Sequence, residues 1–317
     1  MRGKNGGAGM NTAAKNIIDI LIAEEGRDKR ILFLPYKIEM WDSMESVFKE
    51  CIRRRLNIGV RPIQYMYLSN HRAVESKMDS WGNDVKMYIA DISRFDPDIV
   101  FIHYPFDSQN TITTIPEEYY SSNLRSRGRR RIAYVSYHGN SALEHEMLLP
   151  AVTRADYIFV YDEEERQGYL RVWKEHGIKS EAKIFATGTP KLDAYIKAYQ
   201  ISQKHNGQDV LIVNSLMPYI DDEGRINKYK AIIEKEKQSR IIFRPHPLLE
   251  HTLKHSNLWR YHQYLDFLKY LESNNVIIDD NRYIKDTLSH CKKLYCDWAS
   301  ILILCRDERL FEVEAII

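Results

Sequence analysis

Cysteine is scarce: four in 317 residues, at positions 51, 291, 296 and 305. They form no CxxC pair and no zinc-like spacing, which argues against a disulfide scaffold or a zinc ribbon and fits a reduced, cytosolic protein. Long apolar runs are lacking too. No stretch approaches the roughly 20 apolar residues of a spanning helix, so any membrane contact is expected to be peripheral. The opening "MRGKNGGAGMN" has no signal-peptide core, and "NIIDILIA" is too short to supply one. Residues 1–11 read as a disordered start. Neither GxGxxG nor a Walker sequence occurs, so ordinary dinucleotide and ATP binding lose support. No aspartate-rich metal motif is present. His251 and His255 lie four apart without a carboxylate to complete a zinc set, and His145 has no metal spacing either. No cofactor is expected and no metal ligand is assigned, while the need for a metal stays open. Charge of one sign is not in excess: the net value of +2 gives no strong field to draw a polyanion.

What is present is a globular composition, 44% hydrophobic and 28% charged, long enough for two domains of ordinary size. Basic charge is uneven, with five arginines in the seven residues "RSRGRRR" (125–131). That run fits a solvated loop before a strand, or a patch for anionic lipid or a phosphate-rich polymer. An alternating rhythm starts with a short amphipathic helix over 16–23. Strands are predicted at 31–36, 60–68, 98–104, 131–137, 157–161 and 182–188. Helices are predicted at 41–56, with Asp42 as cap and Glu45 at the capping-box position, and at 163–177. After a polar linker at 199–209 come strands at 210–215, 240–243, 276–279 and 293–297, with helices near 225–238 and 257–273. A last helix over 298–316 closes the chain with no strand after it. Continuous apolar strands alternating with helices imply parallel sheets covered on both faces. The fold expected is α/β, of the GT-B type: two Rossmann-like domains, 12–200 and 201–317, with a cleft between them and the second abbreviated at its end.

Four strand ends carry polar chemistry. "SYHGN" places His138 and Gly139 after an apolar strand, and a histidine near neutral pKa suits proton removal from an alcohol; a plain hydrogen-bonded loop histidine is the alternative. In "TGTPK" (187–191), Thr189 and Pro190 fit N-cap and first helical positions, so this motif also reads as structural punctuation. "RIIFRPHP" runs a strand into two prolines, which remove backbone donors and end it. Arg244 and His246 are thereby presented where ligands bind an open α/β sheet, and an arginine fork suits phosphate oxygens. "YCDWAS" turns from strand to helix, with Asp297 or Ser300 as cap and helix-start amides forming an anion site. Together these imply a phosphate-bearing ligand, a pyrophosphate-linked nucleotide. Lys37 and His103, at ends of N-terminal strands, read first as ordinary structural residues, with facing an acceptor as the alternative. Trp41, Trp81, Trp173 and Trp259 read as packing residues.

The order "HG", "GTPKLD", "RPHP", "YCDWAS" resembles the CDP-glycerol glycerophosphotransferases of teichoic acid and capsule synthesis, over about residues 30–305, and "ILFLPYKIEMWDSMESV" is similar to a subset of that family. The resemblance implies transfer of glycerol phosphate, or a related polyol phosphate, from CDP-glycerol to a cell-surface polymer or lipid-linked acceptor, with release of CMP. It assigns His138 as general base. Arg244 and His246 would hold the donor phosphates, with His246 stabilising the leaving nucleotide. Ser300 would contact those phosphates, Asp297 would fix the turn, and Thr187, Gly188, Thr189 and Gly139 would line the cleft. It places the protein in the cytoplasm, peripherally on the inner membrane face, with no nucleic-acid partner. Ala299 stands where the family has the first of two serines. Two alternatives keep the fold: a glycosyltransferase using a nucleotide sugar, and a non-catalytic binding or scaffold subunit.

Overall fold

A computed structural model describes residues 12–316 except 70–71, 82–86, 127–129, 139–143 and 298–299. The expected disordered start, Gly139, Ala299 and the middle of the arginine run lie outside the described residues. The N-terminal half contains β1 (Arg30–Leu34), β2 (Asn57–Val60), β3 (Tyr65–Ser69), β4 (Arg72–Lys77), β5 (Ile99–Ile102), β6 (Thr113–Thr114), β7 (Arg131–Val135), β8 (Tyr157–Val160) and β9 (Lys183–Ala186). The C-terminal half contains β10 (Asp209–Val213), β11 (Ile241–Arg244), β12 (Ile277–Ile278), β13 (Cys291–Cys296) and β14 (Glu312–Ala315). Two sheets dominate, ordered β2-β1-β5-β7-β8-β9 and β12-β11-β10-β13-β14. Every pairing within them is parallel. β5, β8, β10 and β11 are buried along their whole length, as strands covered on both faces must be.

In each sheet the chain order reverses at one place, between β1 and β5 and between β10 and β13. Strand carboxyl ends at such a reversal leave a crevice where ligands bind α/β sheets. Lys37 and His103 follow the first pair; Asn214 and Asp297 follow the second.

Several elements differ from the sequence reading. The run 60–68 is two strands, because Pro62 interrupts it and the chain leaves the main sheet there. β3 instead pairs antiparallel with β4 and β6 in a small third sheet. The predicted 41–56 helix begins later. Residues Ile38–Ser43 form a 3-10 turn and the helix is Glu45–Arg53, with no side-chain cap. Trp41 and Met44, both wholly buried, draw this turn into the core and take Asp42 with them, so Asp42 caps nothing. The polar segment 199–209 is mostly not a linker. Its first part completes the helix Pro190–His205, closed by left-handed Asn206 at φ 52°. The final helix is only Ser300–Asp307, and β14 follows it, pairing with β13. Residues read as a bare end thus return to the second sheet, where the polar alternation of "EVEA" suits an exposed edge.

Trp41, Trp81 and Trp173 are core residues, while Trp259 is 58% exposed. No helix among the described residues is long and apolar enough to cross a membrane.

Candidate active site

β11 ends at Arg244, and Pro245 and Pro247 hold the following turn out of the sheet. His246 is fixed twice in that turn. Its backbone N–H donates to Asn214 Oδ1 (2.9 Å), and its ring Nδ1 accepts from the Leu248 N–H (3.1 Å). A neutral ring that accepts at Nδ1 carries its proton on Nε2 as a donor. Burial lowers the His246 pKa to about 3, helped by the charges of Lys37, His138 and Lys191, so the ring is a neutral donor at physiological pH.

Arg244 is tied down. Its Nη1 donates to Asp279 Oδ2 (2.6 Å) and to the Asn281 carbonyl (2.9 Å). That arm anchors the loop after β12. Asp297 is fully buried and accepts from the Ser215 N–H, the Tyr229 hydroxyl and Arg225 Nη1, each at 2.8 Å. Burial raises its pKa against the effect of those donors. Asp297 therefore clamps the ends of β10 and β13 at the reversal point, and its oxygens are occupied. Ser300 opens the last helix.

From the N-terminal half comes His138, in the loop after β7. Its N–H donates to Ser136 Oγ (3.2 Å), and its Nε2 lies 2.9 Å from Glu146 Oε1, at ion-pair distance though out of hydrogen-bond alignment. The Glu146 carboxylate is buried and the imidazole about one-third exposed. Tyr137 lies beside that ring, with centroids 3.9 Å apart.

Thr189 and Pro190 occupy the N-cap and first positions of the helix Pro190–His205, as the sequence predicts, although the threonine hydroxyl makes no capping bond. Thr187 and Gly188 pass beneath the first helix, Ala13–Glu25. The Thr187 carbonyl accepts from Asn16 Nδ2 (3.1 Å), and a Cβ on Gly188 would stand 3.3 Å from that of Ala13.

The next residue, Lys191, is one the sequence reading quoted without giving it a role. Its Nζ donates to the Tyr137 carbonyl (2.9 Å) and reaches Ser300 Oγ at 3.5 Å. It thus joins the loop after β7 to the start of the last helix, across the two halves. Asp42 is also new to the site. It is 2% exposed, neither carboxylate oxygen has a hydrogen-bond partner among the described residues, and Lys191, Lys285 and Arg244 surround it at longer range. Burial raises its pKa. No signal in the sequence marks Asp42, because its burial follows from the packing of Trp41.

The structure therefore brings together His138, His246, Lys191 and Ser300, with Lys37 nearby, and sets Thr187 and Gly188 under a helix. His103 is a buried scaffold residue and does not face an acceptor. Among the described residues no group of histidine, cysteine, aspartate or glutamate is arranged to hold a metal. A separate cavity of about 190 Å³, lined by Arg61, Asp91, Ser93, Glu118 and Tyr119 among others, contains none of these strand-end residues.

No family model and no curated protein matches the chain. Solved structures match in fold. S. aureus MnaA in a co-structure with UDP aligns at TM-score 0.54 with 14% identity, over 86% of this chain and 75% of that one. UDP-GlcNAc 2-epimerase of Neisseria meningitidis bound to UDP-GlcNAc aligns at 0.53 with 14% identity, over 86% and 79%. A UDP-N-acetylglucosamine 2-epimerase structure from Listeria monocytogenes gives 0.51 and 11%, over 87% and 76%. The protein has the GT-B architecture, two Rossmann-like units with parallel sheets. Likeness to CDP-glycerol glycerophosphotransferases rests on the sequence motifs alone.

Proposed function

We propose that this chain is a GT-B enzyme acting on a nucleotide-linked donor, a nucleotide sugar in the first reading. One observation carries it: Lys191 from one half meets Ser300, at the helix start of the other half, with the neutral donor His246 in range. A cation, a hydroxyl, an imidazole N–H and helix-start amides converging from two sheets suit a pyrophosphate. UDP and UDP-GlcNAc in the similar folds agree with a nucleotide ligand.

His138, with Glu146 at ion-pair distance, takes the proton of an acceptor hydroxyl. The acceptor oxygen bonds to the sugar's anomeric carbon, and the bond to the nucleoside diphosphate breaks with its electrons leaving on the phosphate, where Lys191 and His246 offset the charge. The motif order "HG", "GTPKLD", "RPHP", "YCDWAS" favours a second reading with the same ligands. There the acceptor oxygen attacks the glycerol-bearing phosphorus of CDP-glycerol and CMP departs.

The test is binding of UDP and CMP by calorimetry together with nucleotide release from UDP-sugars and from CDP-glycerol. Lys191→Met is expected to weaken nucleotide binding by about tenfold or more. His138→Ala should leave binding near wild type and slow release by about 10²-fold. Release of CMP from CDP-glycerol alone would move the assignment to the polyol-phosphate reading. A folded protein that binds and turns over neither donor would defeat both and leave a non-catalytic subunit.

A further inference from the structure

Lys37 follows β1 at the reversal point of the first sheet, and its side chain is 1% exposed. Its Nζ stands 4.2 Å from the centroid of Tyr65 and 5.3 Å from that of Tyr67, both on β3. Aromatic faces are all it has. Among the described residues no acceptor oxygen engages this ammonium by hydrogen bond or ion pair. The nearby Asp79 carboxylate is already taken, with Oδ1 accepting from the Tyr65 hydroxyl (3.0 Å) and Oδ2 from the Ile38 N–H (2.9 Å). Glu39 and Asp79 both act on Lys37 at longer range, without a hydrogen bond, and Lys77 adds a like charge. Burial lowers the Lys37 pKa to about 8, which still leaves it mostly protonated at pH 7.

A buried cation without an anionic partner is unfavourable, and cation–π contact offsets only part of that. Its position says what would complete it. The charge of Lys37 reaches His246 and His251 of the other half, so this ammonium lies within electrostatic range of both rings. Tyr67 stacks on His251 with centroids 3.7 Å apart, and His251 Nδ1 is 3.7 Å from Glu75, which joins the small third sheet to the C-terminal half at that end. His246 thus feels the charge of Lys191, which reaches Ser300, and separately that of Lys37 from the turn after β1.

We propose that Lys37 binds an anionic group, phosphate or carboxylate, of the second substrate, in the part of the cleft between Tyr65, Tyr67 and His246. This rests on assigning Lys191 and Ser300 to the donor. The acceptor is then itself an anion, held beside His138 and His246 by a cation that has no partner of its own.

The experiment is calorimetry at pH 7 on protein saturated with UDP, titrated with inorganic phosphate and separately with acetate, for wild type, Lys37→Met and Lys37→Arg. Wild type should bind phosphate in the presence of UDP. Lys37→Met should weaken that by about tenfold while Lys37→Arg keeps most of it, with UDP affinity unchanged in both. Lys37→Met should melt no lower than wild type, because methionine fills the space between two tyrosine rings without a charge. Acetate binding alongside phosphate would extend the site to carboxylates; phosphate alone would restrict it to phosphate esters. Equal loss of UDP and phosphate affinity would make Lys37 a donor ligand and overturn the inference. Phosphate binding that survives Lys37→Met, or none at all in UDP-saturated wild type, would overturn it too. Lys37-dependent phosphate binding by a protein that binds no nucleotide would keep the anion site and defeat the nucleotide reading instead.

Discussion

His103 shows how a residue with catalytic chemistry comes to serve as scaffold. Its Nε2 accepts the Tyr36 N–H at 2.8 Å, which leaves the proton on Nδ1 to donate to Ser43 Oγ, also 2.8 Å away; Ser43 in turn donates to the Met40 carbonyl. The ring therefore fixes the turn after β1 that carries Lys37 and buries Asp42. Burial lowers its pKa to about 3. In an unfolded chain it would titrate near about 6.5. Below that pH the unfolded state binds a proton that the folded state refuses. Its contribution is full above pH 6.5 and is lost as pH falls toward 3, by about 1.4 kcal/mol per pH unit. His246 is held near the same value and acts in the same window. We predict that His103→Gln lowers stability at pH 7 and flattens, without abolishing, the fall between pH 6 and 4 in urea unfolding. An unchanged slope would mean that His103 already titrates normally in the fold. Sequence treated His103 and Lys37 alike, as strand-end residues with facing an acceptor as the alternative to a structural role, and could not separate them. Both are buried, and what separates them is that Tyr36 and Ser43 pair with the His103 ring while Lys37 meets only aromatic faces.

At the scale of elements, the first helix shows what a motif can hide. The helix Ala13–Glu25 begins with Thr12, whose hydroxyl accepts from the Lys15 N–H (3.3 Å). The N–H groups of Ala13 and Ala14, otherwise orphaned at a helix start, donate to the two oxygens of Asp193, each 3.1 Å away. Asp193 belongs to "GTPKLD", so part of what looks like a substrate motif holds one helix onto another. Gly188, at φ +82°, supplies the turn that brings the chain beneath Ala13. Asp193→Ala should cost about 1 kcal/mol. It should speed amide exchange in the first turn of Ala13–Glu25 while nucleotide affinity stays unchanged; a fall in affinity would return Asp193 to the binding site. The helix itself was legible from its apolar spacing. Its anchor was not, since cap and helix start are about 180 residues apart.

Across the whole molecule the helix Pro190–His205 packs on both halves, touching the helices Ala13–Glu25 and Glu45–Arg53 on one side and Ile284–Leu288 on the other. Further links cross between the halves. Lys285 pairs with Glu45, and the Tyr161 hydroxyl donates to Glu308 (2.7 Å). Lys285→Met should lower stability by about 1–2 kcal/mol, because both partners are mostly buried but Glu45 keeps Lys49. Amide exchange should rise in Glu45–Arg53 and Ile284–Leu288 and stay fixed in β1, β5, β10 and β11; a uniform rise would mean that the halves unfold only together. The sequence by itself determined two parallel sheets, the strands that build them, and the strand ends where polar residues gather. Those follow from local apolar runs, prolines and helix starts, which act within a few residues. It misplaced the breaks at Pro62, Met44 and Asn206 and left out β14, whose alternating charge resembles an exposed tail until it pairs with β13. Only the tertiary structure decided that Arg244 and Asp297 are tied to partners, that Lys191 spans the two halves, and that Lys37 is buried without an anion. Those outcomes depend on which residues meet across hundreds of positions, where burial and pairing are settled by packing rather than by neighbours in the chain.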